Sequence, residues 1–76
     1  SINNYVTFYN KGLLFLKLLK YKEAILCFDK AIELKPNYFK AYINKGFPNE
    51  KISNYNESIK NYNKVIEINS NYIENF

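Results

Sequence analysis

Tyr21–Tyr38, YKEAILCFDKAIELKPNY, is written a second time 34 residues further on as Tyr55–Tyr72, YNESIKNYNKVIEINSNY. Tyr21 falls on Tyr55, Glu23 on Glu57, Ile25 on Ile59, Lys30 on Lys64, Ile32 on Ile66, Glu33 on Glu67 and Asn37 on Asn71. The offset holds upstream as well, where Asn10-Lys11-Gly12 returns as Asn44-Lys45-Gly46 and Phe8 answers Tyr42. A fixed period of this length is the mark of stacked supersecondary units and governs every local reading. The chain is a repeat protein.

Within each copy the apolar residues recur at helical steps. Ala24, Ile25, Phe28, Ala31 and Ile32 share one face of a helix over Tyr21–Leu34, with Lys22, Glu23, Asp29, Lys30 and Glu33 elsewhere. Pro36 stops that helix and Asn37 is placed to cap the next. Before it, Ser1–Asn4 is a polar lead-in, and Tyr5–Leu19 reads as a helix that is apolar nearly all round, hence covered on more than one side. A third helix starts at Phe39. Asn54 opens a fourth with Glu57 in capping-box spacing, running to about Ile68. Asn69-Ser70 then caps a last helix of which only Asn71–Phe76 is present. No stretch alternates with period two, so no strand is expected. Short loops make the helices antiparallel neighbours.

At 76 residues the chain is one small domain that buries only about 60% of its unfolded surface. It starts at Ser1 without a Met and stops shortly into a third copy, which reads as a piece of a longer array or a very short one. Its net charge of +4 comes from Lys alone, spread along the chain. Without Arg for bidentate phosphate contacts, a solvated basic surface is expected rather than a nucleic-acid site. The single Cys27 forms no internal disulfide, and with no signal peptide visible an intracellular setting is expected. The longest apolar run, Leu13–Leu19, is broken by Lys17 and falls short of the about 20 residues a membrane span needs.

These residues resemble the tetratricopeptide repeat, a 34-residue pair of antiparallel helices. The first copy meets the family pattern at Phe8, Gly12, Phe15, Tyr21, Ala24, Phe28, Ala31 and Pro36. The second meets it at Tyr42, Gly46, Tyr55, Ser58, Tyr62 and Val65, with Ser70 where Pro36 stood. The resemblance implies an all-α fold, an α-solenoid of antiparallel helix pairs forming a fragment of a right-handed superhelix. It implies a single domain, 1–76, with repeats at 5–38 and 39–72 and a partial repeat or capping helix at 73–76. Gly12, Gly46, Ala24 and Ser58 would let paired helices approach, and Tyr21, Phe28, Tyr55 and Tyr62 would fill the wedge between pairs. Two departures stand out. Pro48 sits inside a helix, where it costs about 3 kcal/mol, so the third helix is expected to end or kink near Phe47 and leave Pro48–Ser53 irregular. Leu19-Lys20 replaces the Gly-Asp often found before the second helix, and Lys20 has no capping side chain.

Enzymatic chemistry finds no footing. The chain has no His, its seven carboxylates are dispersed, and no Gly-rich phosphate loop is present. Cys27, with no His beside it, reads as an inert small side chain. No cofactor or metal is expected. The resemblance instead implies a non-catalytic protein–protein interaction module, with a concave groove lined by Val6, Tyr9, Asn10, Leu13, Leu16, Lys17, Lys40, Ile43, Asn44, Phe47, Glu50 and Lys51. Some relatives clamp acidic peptide tails with Lys and Asn. Here only Asn44 fits that pattern, since Tyr9 and Leu13 stand at the clamp's first positions and Glu74 opens the third set. The expected occupant is therefore an apolar or amphipathic protein segment. Two alternatives stay open: self-association through Leu13–Leu19 and the open end at Ile73–Phe76, and a basic surface for nucleic acid or anionic membrane. Val6, Tyr9, Leu13 and Leu16 suit contact with a missing upstream unit or a second copy equally well.

Overall fold

The computed structural model describes residues 4–74, with side chains through Ser70. Four helices follow in order, α1 (Tyr5–Lys17), α2 (Tyr21–Leu34), α3 (Phe39–Lys51) and α4 (Tyr55–Glu74), and there is no strand among the described residues. Of the expected lead-in Ser1–Asn4, the first three residues lie outside the described ones. Helix α1 packs on α2 and α3 on α4, while α3 also lies against α2. The first helices of the two pairs, α1 and α3, touch each other; among the described residues α2 and α4 do not. The stack therefore closes on its α1–α3 side and splays on the other.

The core lies where α3 meets the first pair. Ala24, Phe28, Ala31 and Ala41 are fully buried, and Tyr5, Phe8, Tyr9, Leu13, Phe15, Leu16, Ile32 and Tyr38 pack around them. Small residues on α2 and α3 bring the backbones together, and one large ring fills the space between. A Cβ on Gly12 would stand 2.6 Å from the Phe28 ring, and one on Gly46 would stand 2.6 Å from the Tyr62 ring. The two glycines thus act as seats for an aromatic ring from the partner helix. Of the wedge residues, Phe28 is enclosed, and Tyr21 stacks edge-on against Phe47 of α3 at 6.2 Å. Tyr55 and Tyr62 have only their own pair to lie on and remain exposed.

Both turns within a pair have the same geometry. Leu19 (φ 61°) and Ser53 (φ 65°) adopt the left-handed conformation. Around the first, the Lys20 N–H donates to the Phe15 carbonyl at 2.9 Å and the Leu19 N–H to Leu16 at 3.0 Å. Around the second, Asn54 donates to Asn49 at 2.7 Å and Ser53 to Glu50 at 3.0 Å. These are Schellman caps, which satisfy the orphan carbonyls of a helix end and usually carry Gly at the left-handed position. Lys20 supplies no side-chain cap, as its chemistry dictates.

Three sequence expectations are overturned. Helix α3 does not end at Phe47; it continues through Pro48 to Lys51, so only Ile52 and Ser53 turn. Pro48 is fully buried, and the next residue anchors the last turn. Asn49 Nδ2 donates to the Lys45 carbonyl at 3.1 Å and to Asn61 Oδ1 on α4 at 3.0 Å, while its Oδ1 accepts from Asn54 at 3.4 Å. Burial and tertiary hydrogen bonds outweigh the local cost of the proline. Asn37 does not cap α3: the helix starts one residue later, from Tyr38, with no side-chain cap. Asn69-Ser70 starts no new helix, because α4 runs unbroken through both to Glu74. With Ser70 in place of Pro36, nothing removes a backbone donor or clashes with the preceding turn.

Candidate interaction face

The α1–α3 contact decides which expected groove residues come together. Asn44 Nδ2 donates to the Tyr9 phenol oxygen at 2.9 Å and to the Lys40 carbonyl at 2.9 Å. The first bond links the two helices across the closed side of the stack, and the second holds the amide in place. Both amide protons are thereby used, so Asn44 has no donor left for an acidic tail. Tyr9 is itself held by rings, with centroids 5.8 Å from Phe28 and 5.2 Å from Tyr38. Tyr38 in turn meets Tyr5 edge-on at 5.0 Å, over which Lys35 stands at 5.3 Å. Burial pushes the phenols of Tyr9 and Tyr38 above the usual tyrosine range.

The twelve expected groove residues divide into two classes. Tyr9, Leu13 and Leu16 are half-buried and pack on the core, so they form a floor. Asn44 is half-buried beside them. Val6, Ile43 and Phe47 are exposed large apolar side chains. Asn10, Lys17, Lys40, Glu50 and Lys51 are exposed, with the Lys51 ammonium 5.3 Å from the Phe47 ring. The sequence did not distinguish floor from surface because α1 is apolar on more than one side. The side chains of Ile73–Phe76, expected at an open end, lie outside the described residues.

Other clusters are structural in character. Lys45 bridges Asp29 at 2.6 Å and Glu57 at 3.7 Å, so one ammonium ties α3 to both α2 and α4. Ser58 Oγ donates to the Gly46 carbonyl at 2.9 Å, and among the described residues no buried side-chain polar atom lacks a partner. Cys27 is buried; burial pushes its thiol up, partly offset by the Lys11 charge. No described helix is long and apolar enough to cross a membrane. The Asn49–Asn61 bond was missed from the sequence. The signal lay in the repeat itself, since the 34-residue offset sets these two amides against Phe15 and Cys27.

Two crystal structures of MamA share the architecture. They match with TM-scores of 0.90 and 0.86, each at 24% identity over 95% of this chain. The chain spans 42% and 39% of their lengths, so the likeness concerns the fold of a part. No curated protein matches the sequence. Models of the tetratricopeptide repeat match residues 5–38 and 39–72. Those bounds coincide with the two helix pairs and their links, and repeats of this kind are in general non-catalytic interaction modules. With two full repeats filling nearly its whole length, the chain belongs to the tetratricopeptide repeat family.

Proposed function

We propose that the chain binds an apolar or amphipathic protein segment on the closed side of the stack, across α1 and α3. The observation that carries this reading is the Tyr9–Asn44 bond, which joins the two helices into one face with Val6, Ile43 and Phe47 exposed on them. Three exposed apolar side chains over a packed floor give a partner something to bury, at about 25 cal/mol per Å² of apolar surface. Lys17, Lys40, Glu50 and Lys51 supply a mostly basic rim that orients a segment carrying acidic residues.

The test uses a random-peptide display library selected on the immobilised chain. Ile43→Asp and Phe47→Asp abolish binding of the selected peptides, while Leu26→Asp, on exposed α2 surface, leaves it unchanged. Binding that survives both groove changes, or is lost with Leu26, overturns the reading. Tyr9 and Leu13 are unsuitable probes, because both pack on the core and their truncation unfolds as well as unbinds.

A further inference from the structure

Helix α4 carries Tyr55, Ile59, Tyr62 and Ile66 in one stripe, exposed by 58, 57, 39 and 63%. Their counterparts 34 residues earlier are Tyr21, Ile25, Phe28 and Ile32 of α2, all half-buried or buried. What covers the α2 stripe is α3. Ala41 packs into the core beside Ala24 and Phe28, and Lys45 pairs with Asp29. Pro48 is enclosed, and Ile52 lies with Ile25 and Leu26 around one depression. The same offset places Thr7, Lys11 and Leu14 of α1, with Leu18 just past its end, at those four positions. All four are exposed, Leu14 by 58% and Leu18 by 63%. One end of the molecule therefore carries the receiving half of the α2–α3 interface, and the other end carries the covering half.

We propose that copies of the chain stack head to tail, the Thr7–Lys11–Leu14–Leu18 face of one copy lying on the Tyr55–Ile59–Tyr62–Ile66 stripe of the next. Each contact repeats the α2–α3 packing already present inside the chain. Within the described residues α4 does not turn back over its own stripe, since it runs straight through Asn69-Ser70 where the first repeat turns at Pro36-Asn37. A surface that differs from the one it binds generates open chains of molecules rather than a closed pair, and a repeat stack accepts a further unit at either end. The copy is imperfect: Thr7, Leu14 and Leu18 stand for Ala41, Pro48 and Ile52 on the covering face, Ser58, Tyr62 and Val65 stand for Ala24, Phe28 and Ala31 on the receiving one, and Asn63 stands for Asp29, the partner of Lys45. The inter-copy contact thus lacks the ion pair that its internal counterpart has.

Molar mass by light scattering, measured over a concentration series, tests the proposal. Mass rises with concentration and passes the value of a dimer without a plateau. Leu14→Asp with Leu18→Asp blocks one end, and Ile59→Asp with Ile66→Asp blocks the other; circular dichroism checks that each variant is folded. Each double variant alone is monomeric, and an equal mixture of the two forms a dimer and nothing larger, because one free end of each kind remains. Asn63→Asp restores the ion pair with Lys11 of the neighbouring copy and tightens assembly about two- to fivefold at low salt, an effect lost in high salt. A strict monomer at the highest soluble concentration overturns the proposal and leaves the stripe to a further unit of a longer chain. A plateau at the dimer, or a mixture of blocked variants that stays monomeric, overturns it as well.

Discussion

The first helix pair is filled by apolar side chains at the positions where the second is joined by hydrogen bonds. The 34-residue offset sets Phe15 of α1 and Cys27 of α2 at the positions where Asn49 and Asn61, only 2% and 3% exposed, bond between α3 and α4. Ala24 in the first pair becomes Ser58 in the second, which bonds the Gly46 carbonyl. Both pairs keep the glycine seat and its aromatic ring. The frame is thus specified by a few small-and-large contacts, while the remaining interior tolerates opposite chemistries provided every polar atom is paired. The polar version also has a task the apolar one lacks, since it holds the helical turn beyond Pro48.

The comparison breaks most clearly at the rings. Phe28→Ala empties a fully enclosed site and costs about 3–5 kcal/mol, enough to unfold a domain this small at room temperature, as urea titration would show. Tyr62→Ala removes a ring that sits on Gly46 in the same way but is partly open to water, so the cost is about half as large. If copies stack, that gap narrows as protein concentration rises. Next in size is Asn61→Ala. It strips the buried Asn49 amide of one partner and costs about 1–3 kcal/mol, and amide exchange quickens at Asn49–Ile52. The double change N49F/N61C leaves no polar group unpaired and so avoids that desolvation cost, yet exchange over residues 50–52 stays fast, because the amide that holds the turn beyond Pro48 is gone. Exchange that stays slow in N61A would show that Pro48 is held by other means.

Smaller effects separate the two turns and the two repeats. Leu19→Gly relieves a bulky left-handed residue worth about 1–2 kcal/mol, less the roughly 0.5–1 kcal/mol of backbone freedom that glycine loses. Thermal melting should show a net gain, smaller in Ser53→Gly because the side chain is smaller. Finally, Tyr9, Cys27 and Tyr38, all in the first repeat, have raised pKa values. Their contribution is complete below the unfolded values of about 8.5 for Cys and about 10 for Tyr, and is lost as pH rises through the folded ones. Stability falls first near the Cys value and more steeply beyond the Tyr value. Cys27→Ser removes only the earlier part of that loss.

The repeat, the second helix and the register of Gly12 with Gly46 were legible in the sequence because each rests on spacing alone; that each glycine seats a ring of its own pair was not, since Phe28 and Tyr62 were expected between pairs. The 34-residue offset places Gly12 and Gly46 in register, and the apolar period of Tyr21–Leu34 matches α2 residue for residue. What was not legible depends on neighbours distant in sequence. Proline carries a local cost readable anywhere, but of the bonds that offset it at Pro48 the buried one comes from Asn61 on another helix. The continuation of α4 past Ser70 was hidden by a plausible cap, although loss of the proline was the stronger signal. The division of the expected groove residues into floor and surface depends on which side of α1 its neighbours cover, and a helix apolar all round does not disclose that.

The Tyr9–Asn44 bond is the longest reach in sequence of any side-chain hydrogen bond among the described residues, yet it spans barely one repeat. Apart from the α1–α3 contact, the helix contacts among the described residues join elements adjacent along the chain. A chain organised in this way closes no large loop before its contacts begin to reward it, so its search for the folded state is short. Folding in the microsecond-to-millisecond range is the kinetic consequence. The rate should hardly change when a unit is added at either end, because each newcomer needs only the helix beside it.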